Sequence, residues 1–282
     1  MKLIIQPRDG VKPLMDAVNG AKKTIHIVIF RFDLPEFEKA LKAACKRGVS
    51  VHALVAHTSG SGNKKLRDLE SRLLECGVVV ARTDDEMVRY HGKLLLIDKT
   101  TLYILGFNYT AQDISRSRSL GIIVKKPSTV REAIRLIESD EDRGRTFRPS
   151  RSNLVISPEN ARFRLLRFIR KARRELLIYD NGITDDEMIA ALRKRAKAGV
   201  TVRIIGRLEK KWRRKGLTVR KSPIRLHVRA MVRDGTRAFV GSQSLRRLEL
   251  DERREVGILI REPGIARRIA QIFTDDWKKA KK

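Results

Sequence analysis

The sequence predicts an α/β fold built from two tandem sandwich repeats, related by a pseudo-twofold axis and sharing one active site. Three observations support this prediction. A long segment near the N-terminus recurs in the second half, a short histidine motif also recurs, and strand and helix patterns alternate in both halves. Because a twofold axis places equivalent surfaces of two copies face to face, the two histidine motifs are expected to meet.

The internal duplication consists of two aligned blocks. Residues 21–52 align without a gap with residues 172–203, at an offset of 151 residues (172 − 21). Residues 91–98 align with residues 227–234, at an offset of 136 (227 − 91). The first half therefore has an insertion between its blocks, around residues 57–76, where leucines recur at helical spacing.

Each half shows the same predicted order of elements. A helix is followed by an apolar strand, a second helix, a second strand, a strand pair around the histidine motif, a further strand and a closing helix. The predicted ranges are helices 11–20, 34–47 and 127–141 with strands 25–30, 49–56, 94–97, 103–105 and 120–124, then helices 158–171, 184–198 and 262–279 with strands 176–179, 200–205, 231–233, 238–240 and 256–260.

The repeat boundaries follow from the same alignment. The first repeat is predicted to span residues 1–145 and the second residues 151–282. Residues 143–152 form a polar, irregular linker between them. Since both half-sites lie in one chain, a monomer with an internal pseudo-dimer suffices.

Charge is the strongest signal in the composition. The chain has 63 Lys and Arg against 33 Asp and Glu, which gives a net charge of +30. Such an excess favours a polyanionic partner, either nucleic acid or an anionic phospholipid surface. The alternative is a charge-rich, heat-adapted surface. It explains the large number of charged residues but not the excess of positive over negative ones.

The hydrophobic runs, the N-terminal segment and the cysteines indicate where the protein is located and whether its thiols bind metal. No apolar run reaches the roughly 20 residues of a membrane helix, so stable membrane insertion is not expected. The N-terminal segment becomes polar too quickly for a signal peptide, and the expected location is the cytoplasm. Cys45 and Cys76 lie in no metal-ligand spacing and are interpreted as small packed thiols.

The recurring motif carries the candidate chemistry. It reads His91-x-Lys93-x4-Asp98 in the first repeat and His227-x-Arg229-x4-Asp234 in the second. On a strand, residues i and i+2 point to the same face, so each motif presents an imidazole beside a cation. Two such motifs suit a phosphodiester, with one histidine attacking phosphorus, the other protonating the leaving oxygen and the cations neutralising phosphate charge.

These motifs resemble those of the phospholipase D superfamily, in which the histidine, lysine and aspartate define an HKD signature. Asn108 lies 17 residues after His91, at the family's spacing. Ser242 and Ser244 lie in the second copy of the motif tail, where Ser244 replaces the family's asparagine. The resemblance extends from about residue 6 to about residue 277 and implies a metal-independent phosphodiesterase without a cofactor.

The resemblance also implies roles for individual residues. His91 is expected to be the nucleophile and His227 the general acid, with Lys93, Arg229 and Asn108 at the phosphate. Glu255 lies 28 residues after His227 and is expected to orient it; the first repeat has Ser119 at that position. The structural part of the motif is assigned to Asp98, Asp234, Ser242 and Ser244. His26 and His52 belong to neither motif and are interpreted as core or edge residues.

A basic segment lies just before the second motif. Cations around an aromatic ring suit a phosphate backbone with a stacked base, and the alternative is a solvated loop with a buried tryptophan. The segment consists of Lys210, Lys211, Trp212, Arg213, Arg214 and Lys215. Four further arginines follow the motif tails, where they are candidates for lining the cleft: Arg116, Arg118, Arg246 and Arg247.

Three hypotheses for function remain open at this stage. The first is a phosphodiesterase acting on nucleic acid, which the net charge of +30 favours. The second is a phospholipase D or cardiolipin-synthase-like phosphatidyltransferase acting on anionic lipid. The third is a non-catalytic nucleic-acid-binding relative, which the departures Arg229, Ser244 and Ser119 favour. DNA and RNA are not distinguished by the sequence, and neither are hydrolysis and transfer.

Overall fold

A computed structural model describes residues 1–56, 62–83, 89–142, 147–208 and 216–281 of the chain. Each repeat contributes one mixed β-sheet with helices packed on it. The predicted α/β fold with two sandwich repeats is confirmed.

The first repeat contains eight strands and five helices among its described residues. In chain order they are β1 (Lys2–Gln6), α1 (Lys12–Gly20), β2 (Thr24–Ile29), α2 (Pro35–Lys46), β3 (Ser50–Val55), α3 (Gly62–Leu74), β4 (Val79–Arg82), β5 (Arg89–Tyr90), β6 (Leu94–Ile97), β7 (Thr101–Leu105), α4 (Ala111–Ser115), β8 (Ser117–Val124) and α5 (Pro127–Glu141). The inserted leucines form α3, as their spacing predicts.

The second repeat follows the same plan. Its elements are β9 (Leu154–Ser157), α6 (Ala161–Arg170), β10 (Glu175–Ile183), α7 (Asp186–Lys197), β11 (Thr201–Leu208), β12 (Thr218–Arg220), β13 (Arg225–Leu226), β14 (Arg229–Arg233), β15 (Arg237–Gly241), a π-helical turn (Leu248–Glu252), β16 (Arg253–Ile260) and α8 (Pro263–Lys279).

Local sequence explains where the long helices begin and end. Proline occupies the first turn of α2, α5 and α8, where its missing N–H costs nothing. Gly48 and Gly199 follow α2 and α7 with φ of +83°, a conformation that favours glycine. The equivalent helices of the two repeats therefore stop at the same place.

The two sheets exchange short strands. The first sheet has the order β1-β8-β7-β6-β2-β3-β4, and β13 of the second repeat pairs with its β8. The second sheet has the order β12-β11-β10-β14-β15-β16-β5, so that β5 of the first repeat pairs with β16. Each histidine motif is thereby preceded by a strand that belongs to the opposite sheet.

The hydrophobic core is divided into three parts. One cluster lies between the sheets and includes residues of both repeats, such as Leu136 of α5 and Phe273 of α8. The other two lie on the outer faces, beneath α1, α2 and α3 in one repeat and beneath α6 and α7 in the other. A shared central cluster makes the relative position of the repeats part of the folded core.

Two equivalent ion pairs cross between the repeats. Arg118 of β8 pairs with Asp276 of α8 at 2.7 Å, and Arg254 of β16 pairs with Asp140 of α5 at 3.0 Å. The offset of 136 residues relates both arginines and both aspartates. These pairs follow the pseudo-twofold and tie each sheet to the closing helix of the other repeat.

Several strands differ from the sequence prediction. The strands β1, β4, β9 and β12 were not predicted, and neither were the two-residue strands β5 and β13. The first and third of these lie beside β8 and β16, where they add an antiparallel strand to each sheet. Their apolar runs are short and lack alternation, so their pairing is decided by the neighbouring strand.

Candidate active site

The two motif histidines are held by the backbone of the opposite repeat. The His91 amide donates to the Arg254 carbonyl at 2.8 Å, and the His227 amide donates to the Arg118 carbonyl at 3.0 Å. Both histidines are 8% exposed and directly follow the exchanged strands β5 and β13. The strand exchange therefore brings both motifs to the junction of the two sheets.

Glu255 is the partner of His91 and not of His227, so the predicted orientation of His227 by Glu255 is wrong. The Glu255 Oε2 atom lies 2.9 Å from the His91 Nδ1 atom. Both are buried, and they come from different repeats. The side chain at position 255 crosses the pseudo-twofold to the histidine of the other repeat. The equivalent residue of the first repeat is Ser119, so His227, and not His91, lacks a carboxylate from this position.

His227 has a different set of partners. Its Nδ1 atom lies 3.1 Å from the Gly106 carbonyl oxygen, and its Nε2 atom lies 3.5 Å from Asp113 Oδ2. A carbonyl only accepts hydrogen bonds, so Nδ1 carries a proton. The Nε2 atom then remains as the proton-exchanging atom, with a carboxylate beside it.

The pKa of His227 is lowered to about 3 in this cleft. Burial is the largest cause, followed by the positive charge of Arg229, while Asp113 acts in the opposite direction. Lys93 and Arg225 lower it further. His227 is therefore neutral at physiological pH until an anion offsets these cations.

Lys93 and Arg229 place two cations beside the histidines. Lys93 is 1% exposed; its Nζ atom donates to the His91 carbonyl and lies 5.1 Å from the Phe30 ring centre. Burial lowers the pKa of Lys93 well below its usual range, and the charge of Arg229 lowers it further. Arg229 donates to Ser244 Oγ and to the His227 carbonyl, both at 3.2 Å.

The buried Glu255 carboxylate joins the two motifs electrostatically. Burial raises its pKa, while Lys93, Ser242 and Arg229 lower it. The Ser242 hydroxyl is also held by β16, since it donates to the Val256 carbonyl and accepts from the Val256 amide. Residues from both repeats thus form one cluster of charge.

Asn108 and Asp113 form the first-repeat wall of the cleft. The Asn108 side chain donates to Asp113 Oδ2 at 2.7 Å, and its backbone amide donates to the same atom at 3.0 Å. Arg225 pairs with the other carboxylate oxygen of Asp113 and with Ser117 Oγ. Burial acts to raise the pKa of Asp113, but the bonds from Arg225 and Asn108 act in the opposite direction, and the pKa is lowered overall.

Asp113 and Arg225 were missed by sequence reasoning. Asp113 occupies the first turn of α4, where an acidic residue is ordinary and Thr110 already caps the helix. Arg225 is one of many arginines near the second motif. The available signals were the position of Asp113 five residues after Asn108 and that of Arg225 two residues before His227.

The motif aspartates lie away from the cleft, at tight turns. Asp98 has φ of +50°, and its carboxylate accepts from the amides of residues 22–24. Asp234 has φ of +52° and accepts from the amides of residues 173–175. Both therefore fasten the strand pair of a motif to the start of β2 or β10.

Other predicted residues lie outside this cluster. Arg118 is committed to Asp276 and to the Gln6 carbonyl. Arg246 donates to the Gly182 carbonyl at 2.7 Å, whereas Arg247 is 81% exposed and Arg116 is exposed on the surface. The basic segment, Lys210, Lys211, Trp212, Arg213, Arg214 and Lys215, lies outside the described residues.

His26, His52, Cys45 and Cys76 lie outside the cleft. His26 and His52 lie on neighbouring strands with their rings stacked at 4.7 Å. Burial and the charge of His52 lower the pKa of His26 to about 4. Cys45 and Cys76 are free thiols.

The cleft has the elements needed to handle a phosphodiester. Lys93 donates to the His91 carbonyl, Arg229 donates to the His227 carbonyl, and the charges of both cations act on His227. Among the residues that the structure describes, no group of three or more His, Cys, Asp or Glu side chains is arranged to hold a metal ion. The described part of the chain also has no helix long and apolar enough to cross a bilayer.

Comparison with known proteins decides the family. A family model described as cardiolipin synthase, PLD-like domain, matches residues 14–140 and 165–277, one segment in each repeat. The chain belongs to this phospholipase D-like family. Membership of the phospholipase D superfamily, predicted from the two motifs, is thereby confirmed, and with it a family of phosphodiesterases and phosphatidyltransferases.

Individual relatives of this phospholipase D-like chain are more distant. Mitochondrial cardiolipin hydrolases of Mus musculus and Canis lupus familiaris are each 25% identical to it over 118 residues. The match covers 42% of this chain and 52% and 45% of the two relatives, about half of their length.

Two solved structures share the fold of this phospholipase D-like chain. Polyphosphate kinase from Porphyromonas gingivalis has a TM-score of 0.80 at 18% identity, covering 97% of this chain and 49% of the kinase. Phosphatidylserine synthase of Haemophilus influenzae Rd KW20 has a TM-score of 0.76 at 12% identity, covering 99% and 85% of the two chains. At these identities the likeness concerns the fold alone.

Proposed function

We propose that this phospholipase D-like chain is a metal-independent phosphodiesterase that cleaves nucleic acid through a phosphohistidine intermediate. One observation carries the proposal: each motif histidine has its Nδ1 atom fixed by an acceptor from the other repeat, and the cation of its own motif, Lys93 or Arg229, donates to its carbonyl. In the proposed arrangement the Nε2 atoms of the two rings act at one phosphorus atom.

The proposed reaction has two steps. In the first, His91 Nε2 attacks phosphorus, the bond from phosphorus to the leaving oxygen breaks, and His227 Nε2 gives its proton to that oxygen. In the second, a water molecule attacks the phosphohistidine, its proton passes to His227, and the phosphorus–nitrogen bond breaks. Lys93 and Arg229 neutralise charge on the non-bridging oxygens in both steps.

The carboxylates favour His91 as the nucleophile. Glu255 accepts the Nδ1 proton of His91, which increases the basicity of Nε2 and stabilises the positive ring of the phosphohistidine. His227 becomes the acid when bound phosphate offsets Lys93 and Arg229, because Asp113 at 3.5 Å then favours the imidazolium. The roles of the two histidines are therefore proposed as the resemblance implies, with Glu255 acting on His91.

Charge supports nucleic acid as the substrate. The net charge of +30 suits a repeating phosphate backbone. Two exposed cations also lie near the cleft: Arg31, whose guanidinium is 5.5 Å from the Phe30 ring centre, and Arg225, which pairs with Asp113. The predicted cytoplasmic location agrees with access to nucleic acid and remains a proposal.

An anionic phospholipid is the second candidate substrate. The matching family is described as cardiolipin synthase, and the two relatives are named cardiolipin hydrolases. A cardiolipin headgroup contains phosphodiesters, so the same two histidines and two cations would serve. The difference from nucleic acid lies in the surface around the cleft and not in the chemistry.

A parallel assay tests the proposal. Labelled single-stranded DNA, RNA, duplex DNA, phosphatidylcholine and cardiolipin are incubated with the protein and with its His91→Ala and His227→Ala variants. Cleavage of a nucleic acid that both variants lose supports the proposal. Turnover of cardiolipin alone favours the second candidate, and turnover of none, with retained nucleic-acid binding, favours a non-catalytic relative.

A further inference from the structure

A second cationic surface lies on the outer side of the second repeat. A surface cavity of about 430 Å³ is bordered by α6 and by the ends of β14, β15 and β16; we call it the α6 groove. Its cations are Arg164, Arg167, Lys171, Arg233, Arg237 and Arg261, with Arg151 from the linker at its rim. None of the described residues that line this cavity has a carboxylate.

Backbone carbonyls hold several of these guanidinium groups in place. Arg164 donates to the carbonyls of Ser152 and Leu154, both at 2.7 Å. Arg237 donates to the carbonyls of Thr236 and Arg261, and Arg233 to that of Phe168. These bonds fix the position of the cations without neutralising them, so the groove retains a concentrated positive field.

The pseudo-twofold supplies an internal comparison. The equivalent cavity of the first repeat includes Ala17, Gly20, Ile97 and Thr101 in its lining, and its charged side chains are Lys2, Asp98 and Lys125. At the offsets of 151 and 136, Gly20 corresponds to Lys171, Ile97 to Arg233 and Thr101 to Arg237. The fold therefore does not require cations at these positions, and their accumulation in one repeat needs another explanation.

An aromatic side chain stands beside the cations. Phe163 lines the same cavity and is 66% exposed, which is unusual for a large apolar ring. A lipid headgroup or an inorganic anion requires no such ring, whereas a base of a single-stranded nucleic acid stacks on it while the cations bind the backbone. Charge and aromatic exposure together favour a single-stranded nucleic acid.

The groove is separate from the histidine cleft. Arg229 begins β14 at the cleft, and Arg233 ends the same strand at the groove. Four residues of a strand span about 13 Å. A ligand bound in the groove therefore leaves the cleft open.

We propose that the α6 groove is an accessory binding surface for single-stranded nucleic acid. The proposal shares its ligand class with the proposed function, but it concerns binding alone and is tested without turnover. Cations of the groove contact the backbone phosphates, and Phe163 stacks on a base.

The test measures binding of labelled oligothymidylate by fluorescence anisotropy across a salt series. The Arg167→Glu/Lys171→Glu protein reverses two exposed cations of the groove, and Lys46→Glu/Lys125→Glu makes the same charge change on the first repeat. The groove variant is expected to lose affinity about tenfold, with a shallower salt slope by about 1.4, since each phosphate contact contributes about 0.7. The control variant is expected to lose less than about threefold.

A third variant separates stacking from charge. Phe163→Ala is expected to lower affinity about fivefold with an unchanged salt slope. Equal losses in the groove and control variants would overturn the proposal, because affinity would then depend on net charge alone. Loss of binding to cardiolipin vesicles without loss on oligothymidylate would assign the groove to a lipid surface. Thermal melts establish that each variant is folded, and cleavage by the unmodified protein tests the proposed function separately.

Discussion

The Glu255 carboxylate of the second repeat binds the His91 imidazole of the first repeat at 2.9 Å. The two residues are 164 positions apart in the chain, and they come from different repeats. In the same way, a carboxylate of the first repeat lies beside the histidine of the second: Asp113 Oδ2 is 3.5 Å from His227 Nε2. Each half-site is therefore incomplete without the other repeat.

Glu255→Gln is expected to reduce kcat strongly while the fold is retained. Glutamine keeps the size of the side chain but removes the charge that stabilises a positive His91 ring, and loss of such a partner costs about 10²–10⁴-fold. Steady-state kinetics on the preferred substrate measure the effect. Glu252→Gln is the control, because Glu252 is an exposed residue of the neighbouring π-helical turn that pairs with Arg247. Equal activity of the two variants would contradict the role of Glu255.

His227 is expected to remain neutral in the free protein far below the ordinary histidine pKa. Its pKa is lowered to about 3, so its NMR signals are expected to change little between pH 7.5 and pH 5. Because the unfolded chain binds the proton at the usual 6.5, the free energy of unfolding falls as the pH is lowered through this window.

The same pH titration of His227 is repeated with inorganic phosphate bound in the cleft. A bound anion offsets Lys93 and Arg229, so phosphate is expected to raise the pKa of His227. His52, whose pKa is lowered by burial outside the cleft, serves as the internal control and is expected not to respond. A titration of His227 near 6.5 without phosphate would refute the prediction.

The phosphohistidine is expected to form on His91. A slow substrate with a good leaving group is incubated with the His227→Ala protein, in which the departing oxygen needs no acid, and the phosphorylated residue is mapped by mass spectrometry. An adduct on His91 supports the assignment. An adduct that forms in the His91→Ala protein and maps to His227 reverses it.

Activity is expected to survive excess EDTA. The two histidines and two cations do the work at phosphorus that a metal ion does in other phosphodiesterases. The measurement is cleavage of the preferred phosphodiester before and after chelation. Full loss on chelation with rescue by Mg²⁺ would argue against the proposed mechanism.

Arg254→Met is expected to lower the free energy of unfolding by about 3 kcal/mol. The Arg254 side chain is 3% exposed, and its loss leaves Asp140 and Glu159 without their shared cation. Lys12→Met is the control. The side chains of Lys12 and its partner Asp16 are 81% and 61% exposed, so their ion pair contributes less than about 1 kcal/mol to the free energy of unfolding. Denaturant unfolding compares both variants with the unmodified protein, and equal stabilities would show that the inter-repeat pair contributes little.

The sequence by itself determined the two repeats, most of their helices and strands, and the residues of both histidine motifs. These features depend on periodicity and on internal repetition, which are properties of neighbouring positions. The positions of Gly48 and Gly199, the helix of the insertion and the turns at Asp98 and Asp234 follow from the same local preferences.

Only the tertiary structure decided which groups meet across the pseudo-twofold. The alignment of the two repeats identifies which positions are equivalent. It does not tell whether the side chain at such a position faces its own repeat or the opposite one. Strand exchange turns position 255 toward His91 and brings Asp113 to His227. The electrostatic state of the cleft follows from these contacts, because burial and charges from both repeats together set the pKa values of its groups.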